Sequence, residues 1–160
     1  MCCALIPAAV LNAGCATVGG GLLASSAELQ VGELPSSVEA FPADQVLPIA
    51  KQHFAQGNFG HAARYYEQAV EIAPGNGEAW LGLAASYDRL RRFDLADRAY
   101  QQSAKLAGDR AEYFNNVGYS YLLRGDTRRA WQNFMLALEK DPDNLTVMNN
   151  LELLRVSGDG

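Results

Sequence analysis

Few side chains in this 160-residue sequence are placed to do chemistry. Cys2, Cys3 and Cys15 all fall in the first fifteen residues, so neither a disulfide framework nor a four-cysteine zinc site can hold the rest of the chain together. His53 and His61 are eight residues apart across an expected helix break. A packed or solvated imidazole is the expectation there, and no metal site is assigned. Neither a glycine-rich phosphate loop nor a nucleophile motif is present, so no catalytic residue and no cofactor is assigned. Arg124-Gly125-Asp126 is the tripeptide that adhesion receptors read on exposed loops. Its neighbours decide whether it is a ligand or a turn.

Charge excludes another class of function. Residues 1–50 hold four of the 18 acids and none of the 13 Lys and Arg, which leaves 13 bases against 14 acids in the remainder. A nearly neutral body without a basic stripe lacks the footprint of a nucleic-acid binder, which needs clustered Lys and Arg for phosphates. The densest cluster, Arg89, Arg91 and Arg92, reads as a solvated face beside a helix C-terminus.

The cysteines have a different context. Residues 2–11, CCALIPAAVL, form an uncharged apolar run too short to span a membrane as a helix but about the length of a signal-peptide core. With LNAGC following, Leu11, Ala13, Gly14 and Cys15 resemble a bacterial lipobox. The resemblance implies a leader over 1–14, Cys15 as the lipid anchor, and sorting to the outer membrane from Ala16. An apolar N-terminus with incidental cysteines is the alternative. The Gly-, Ser-, Ala- and Pro-rich stretch over 15–42 reads as a flexible tether.

Stepping the sequence by 34 residues aligns FAQGNFGHA (54–62), DRLRRFDLA (88–96) and LLRGDTRRA (122–130) without gaps. Gly57, Arg91 and Gly125 share one position, and Ala62, Ala96 and Ala130 another. The flanks keep the register, with Ala50, Ala84 and Gly118 at one site and Tyr66, Tyr100 and Phe134 at another. Large residues at helical spacing with small ones at the crossing describe helical hairpins. Gly125-Asp126 then falls in the turn between two helices, with the aspartate as an N-cap, and adhesion readout is not expected.

This pattern resembles the tetratricopeptide repeat, with units at 43–76, 77–110 and 111–144, a closing helix over 145–156 and a tail over 157–160. It implies an all-α, right-handed solenoid of three hairpins. Met148 and Leu151 are expected at core positions of the closing helix, and Glu152 and Arg155 on a polar outer face. Pro48 should break a helix interior, so the first helix is expected to start around Val46 or later.

On the family pattern the inner helices line a concave groove. That selects Lys51 and Phe54, then Leu81, Ala85 and Arg89, then Asn115, Asn116, Tyr119 and Leu122, with Asn149 and Asn150 from the closing helix. Side-chain amides can donate to and accept from a peptide backbone at once, so Asn116 and Asn150 are the leading candidates for holding an extended ligand. Bonding of Asn116 between adjacent hairpins is the alternative. Leu47, Gly82 and Glu112 stand where the carboxylate clamp of chaperone-binding members needs basic or amide groups, so capture of a chaperone C-terminus is not expected.

The phrases FNNVGYSYLLRGD and DPDNLTVMNNLELLR are similar to repeat lipoproteins of the tight-adherence (Flp) pilus assembly system. The implied function is a non-catalytic scaffold on the periplasmic face of the outer membrane, with a secretin or other pilus-assembly component as protein partner. Alternatives are an adaptor of peptidoglycan enzymes and a soluble cytoplasmic adaptor.

Overall fold

The computed structural model describes residues 32–158. Among them are seven helices and no strand: α1 (Ala43–Ala55), α2 (Phe59–Ile72), α3 (Gly77–Arg89), α4 (Phe93–Ala107), α5 (Ala111–Leu123), α6 (Thr127–Lys140) and α7 (Leu145–Gly158). Helices α1 and α2, α3 and α4, and α5 and α6 pack most extensively as hairpins, and the hairpins stack with α7 closing the row. The all-α solenoid expected from the repeat is the observed architecture. Cys15, the 1–14 leader and residues 15–31 lie outside the described residues.

The turns obey the 34-residue register down to single dihedrals. Gly57, Arg91 and Gly125 have φ of +78°, +58° and +77°, and Arg91 is the described non-glycine residue with positive φ. A side chain in the left-handed region costs roughly 1–2 kcal/mol, whereas glycine there is unstrained but loses more chain entropy on folding. Arg91→Gly is therefore expected to raise stability by about 1 kcal/mol, read as a higher thermal midpoint. A midpoint at or below that of the parent would mean that the Arg91 Nη1 bond to the Leu123 carbonyl, 3.5 Å long, outweighs the relief of strain.

Within each hairpin, small residues let the two helices touch. Ala50, Ala84, Ala62, Ala96 and Ala130 are completely buried. At Gly118 a Cβ would lie 2.7 Å from the Phe134 ring and 3.2 Å from the Ala130 carbonyl oxygen. The turn also behaves as the repeat requires. Asp126 accepts from the Arg129 backbone N–H at 2.9 Å as the N-cap of α6, and that bond, with the Arg129 side chain, holds its carboxyl below the usual range.

Three expectations are corrected. Helix α1 starts at Ala43 and runs through Pro48. Pro48 is exposed, so the Asp44 carbonyl left without its amide partner meets solvent. Buried Val46 and Ala50 on either side pin the helix to the core.

The second correction concerns the end of the stretch read as a tether, residues 32–42, which packs on the repeats. Gly32 donates to the Leu90 carbonyl at 2.9 Å, Arg92 Nε donates to Gly32 O at 3.1 Å and Arg64 Nε to Pro35 O at 2.7 Å. Leu34, Val38 and Phe41 pack on the core, and the Phe41 ring meets Tyr65 edge-on at 5.8 Å.

The third concerns α7. Glu152 and Arg155 do pair on its outer face at 2.7 Å, but Leu145 and Val156 are also exposed, and so is Met148, which was expected in the core. Burial falls instead on Val147 and Leu154, with Leu151 partly buried.

The joints between hairpins are unequal. Between α2 and α3, Gly82 admits the Tyr66 ring, which lies 2.3 Å from where a Cβ would stand. One repeat later Asn116 replaces Gly82 and Tyr113 replaces Ala79, so Tyr100 cannot enter in the same way. Its hydroxyl instead lies 2.8 Å from Asp88 and 3.1 Å from the Asn116 carbonyl, and its ring meets Tyr113 edge-on at 6.3 Å. The bulk of Tyr113 and Asn116 props α5 away from α4 and leaves a cleft of about 980 Å³. The core is accordingly split in two. Tyr113 and Val117 of α5 pack on the α1–α4 cluster, while Phe114, Tyr121 and Leu122 pack on the cluster around Phe134 and Val147.

Candidate functional site

The inner helices α1, α3, α5 and α7 each contribute side chains to two adjoining recesses of about 310 and 230 Å³, which share Phe54, Ala85 and Asn116. The first is completed by Lys51 and Leu81, the second by Arg89, Asn115, Tyr119 and Asn150. Leu122 turns into the C-terminal cluster instead, and Asn149 is exposed and lines neither recess. Leu122 sits at the edge of this helix face, where α5 meets α7.

The polar groups are held in place by partners within the fold. Asn150 Nδ2 donates to Asn115 Oδ1 at 2.8 Å, tying α7 to α5. Asn116 Nδ2 donates to the Glu112 carbonyl of its own helix at 2.7 Å, so its side-chain amide does not bridge hairpins. The inter-helix amide pair is Asn115 with Asn150. Lys51 pairs with Glu78 at 2.5 Å. The Arg89 guanidinium lies 4.3 Å from the centre of the Phe59 ring and 6.0 Å from that of Tyr119, and Phe59 packs edge-on against Phe54 at 5.3 Å. An arginine stacked between aromatic rings keeps its N–H edge available while its planar faces are covered.

Residues outside the sequence-based set complete the walls. Thr146, Asp88 and Tyr100 line the second recess, and Tyr66, Glu78 and Gly82 the first. Asp88 is 2% exposed and accepts from Tyr100 at 2.8 Å and from Ser120 at 2.9 Å. Burial raises its carboxyl above the ordinary value, opposed by those two hydroxyls and by Arg124. Tyr66 is pushed up to about 12 by burial and by Glu78, so it stays a neutral hydroxyl at physiological pH. Asp88 carried a signal in the sequence, as an acid at a position that is apolar one repeat later (Leu122). Thr146 carried none.

The two histidines meet although α1 and α2 carry one each. Their rings stack at 5.3 Å, and His53 stacks on Tyr65 at 5.2 Å. His53 Nδ1 is buried with no hydrogen-bond partner, and burial followed by the charge of His61 lowers its affinity for a proton. Among the described residues no group of three or more His, Cys, Asp or Glu side chains could hold a metal ion.

The sign of the pH effect follows from linkage. An unfolded chain protonates His53 near 6.5 while the folded chain resists, so stability is full above that pH and declines as pH falls toward the lowered folded value. The thermal midpoint is expected to drop between about pH 7 and pH 5.5, and His53→Tyr, which restores the aromatic found at Tyr87 and Tyr121, should flatten the drop. An identical pH slope in parent and variant would remove His53 as its source.

Stacked hairpins with a concave groove define a helical-repeat protein. A sequence model of the tetratricopeptide repeat family matches residues 53–115. The small glutamine-rich tetratricopeptide repeat-containing protein 2 of Mycosarcoma maydis is 24% identical over 69% of this chain and 33% of its own length. The chain spans a third or less of the curated relatives it matches first. Among solved structures, the first repeat domain of Spaghetti (RPAP3) bound to an HSP90 peptide superposes with a TM-score of 0.62 at 19% identity, covering 79% of this chain and all of that one. Pseudomonas aeruginosa pilF superposes with a TM-score of 0.62 at 23% identity, covering 73% of this chain and 54% of that one. At these identities the likeness is one of fold. No described helix is long and apolar enough to cross a membrane.

Proposed function

We propose that this chain is a non-catalytic protein-interaction scaffold that holds an extended peptide or helix of a partner in its concave groove, and that it is a lipid-anchored envelope protein serving assembly of a pilus or secretion machine. The observation that carries the first part is the continuity of the groove. Two recesses share Phe54, Ala85 and Asn116 and run from Lys51 on α1 to Asn150 on α7, with aromatic surface for apolar side chains and amides for a peptide backbone. The second part is supported by the lipobox-like LNAGC, by the phrases resembling tight-adherence lipoproteins, and by the fold shared with pilF.

Two measurements test this reading. The intact mass of the protein purified from membranes of its own host should correspond to a chain beginning at acylated Cys15. A mass retaining the leader without lipid would discard the anchor and move the partner search to the cytoplasm. Photocrosslinking from position Tyr119 or Asn150 should then capture a secretin or another pilus-assembly component, and the gene deletion should lose surface pili. Capture of a wall hydrolase or synthase, or a piliated deletion strain, would refute the assembly role.

A further inference from the structure

A recess larger than either of those in the groove lies outside it. It is the cleft of about 980 Å³ between α4, α5 and the start of α6, at the upper end of the range typical of ligand pockets. Tyr100 is the residue that lines both cleft and groove, and so forms the partition between them.

Charge distinguishes this cleft. Lys105, Arg124, Arg128 and Arg129 line it against Asp97 and Asp126. Both acids are already engaged, Asp97 by Arg124 at 2.6 Å and Asp126 by Arg129 at 2.5 Å. Lys105 donates to the Gln102 side chain at 3.3 Å, and among the described residues no carboxylate lies within ion-pair distance of Lys105 or Arg128, whose charge acts on Asp126 from farther away. Arg124 also carries a buried Nε with no acceptor. Lys105 stands on α4 and Arg128 in the first turn of α6, so the uncompensated positive charge is divided between the two walls. Apolar surface from Ala104, Tyr113 and Val117 completes the lining.

The basic set is not a by-product of the repeat. One period earlier the same positions hold Glu71, Leu90, Asp94 and Leu95, and there the joint is closed by Tyr66 packed into Gly82. Neither the opening nor its charge recurs at the α2–α3 joint.

We propose that the cleft is a second docking site, distinct from the groove, which takes a short acidic segment of a partner protein with carboxylates flanking an apolar side chain. The carboxylates meet Lys105 on one wall and Arg128 on the other, and the apolar side chain lies on Tyr113 and Val117. Rim charges of this kind steer association and weaken with salt.

The test uses the whole chain and a fluorescein-labelled peptide of glutamates flanking a phenylalanine, followed by anisotropy. Saturable binding is expected that weakens with rising salt and falls about tenfold in Lys105→Glu/Arg128→Glu, two exposed side chains whose exchange leaves the helical spectrum unchanged. The matching glutamine peptide should not bind, and Asn150→Ala, a change in a groove residue that does not line the cleft, should bind the acidic peptide as the parent does. Each single reversal gives a second reading if the double variant melts early. No saturable binding, equal binding of the glutamine peptide, insensitivity to the charge reversals, or equally strong binding of a short oligothymidylate would overturn the proposal.

Discussion

Phe134→Ala is expected to cost about 3–5 kcal/mol, a large share of a total stability of roughly 5–15 kcal/mol, and to unfold one end of the molecule before the other. Phe134 is completely buried and is the largest such side chain. It fills the space that Gly118 leaves on α5 and centres the cluster formed by Ala130, Ala137, Val147 and Leu154. That cluster is separate from the one that holds α1 to α4, and the polar Asp88, Tyr100 and Ser120 contacts lie at the joint between them. In a repeat protein, stability is a sum over units and the interfaces between them. The loss should therefore appear as hydrogen-exchange protection lost in α6 and α7 while α2 and α3 keep theirs, with a broadened or two-step melt. Equal loss of protection at both ends would show that the joint couples the clusters more tightly than its geometry indicates.

A double-mutant cycle identifies the contact responsible. In the parent, a Cβ at Gly118 meets the Phe134 ring at 2.7 Å, so Gly118→Ala should destabilise despite alanine's advantage of about 1 kcal/mol in a helix interior. With Phe134→Ala already in place the ring is gone, and Gly118→Ala should become neutral or stabilising. The same cost in both backgrounds would mean that the two residues do not oppose each other.

Ala96→Leu is expected to cost about 1–3 kcal/mol by overpacking. Ala96 is completely buried on α4, as is Ala84 on α3, and the repeat places small residues at both positions so that the helices touch. A leucine must either displace α4 or adopt a strained rotamer. Ala104→Leu, at an exposed position on the same helix, controls for composition and should leave the thermal midpoint nearly unchanged. An unchanged midpoint in Ala96→Leu would mean that the small residues do not set the distance between the helices.

The correspondence between sequence and structure has a physical boundary. Contacts within a hairpin recur every 34 residues, so a small residue in one unit predicts a small residue in the next, and the turn at Gly57 predicts the turns at Arg91 and Gly125. This is why the helices, the crossing points and the N-cap at Asp126 were legible, and why most of the groove set, from Lys51 to Asn150, lies on one face. Groove residues at the margin were not legible. Leu122 and Asn149 satisfy the spacing, but what lies beside them depends on how α7 closes the row.

What the sequence by itself determined is the repeat: its period, its helical hairpins and its small-residue crossings. Only the tertiary structure decided the rest. It docked residues 32–42 through backbone bonds that no side-chain pattern encodes. It carried α1 through Pro48 because solvent could satisfy the freed carbonyl. It paired Asn150 with Asn115, leaving Asn116 bonded within its own helix. At the second joint, Tyr113 and Asn116 opened a cleft where their counterparts Ala79 and Gly82 allow a closed one. A repeating pattern specifies what every unit shares, whereas the fit between neighbouring units depends on single side-chain volumes at positions where the units differ.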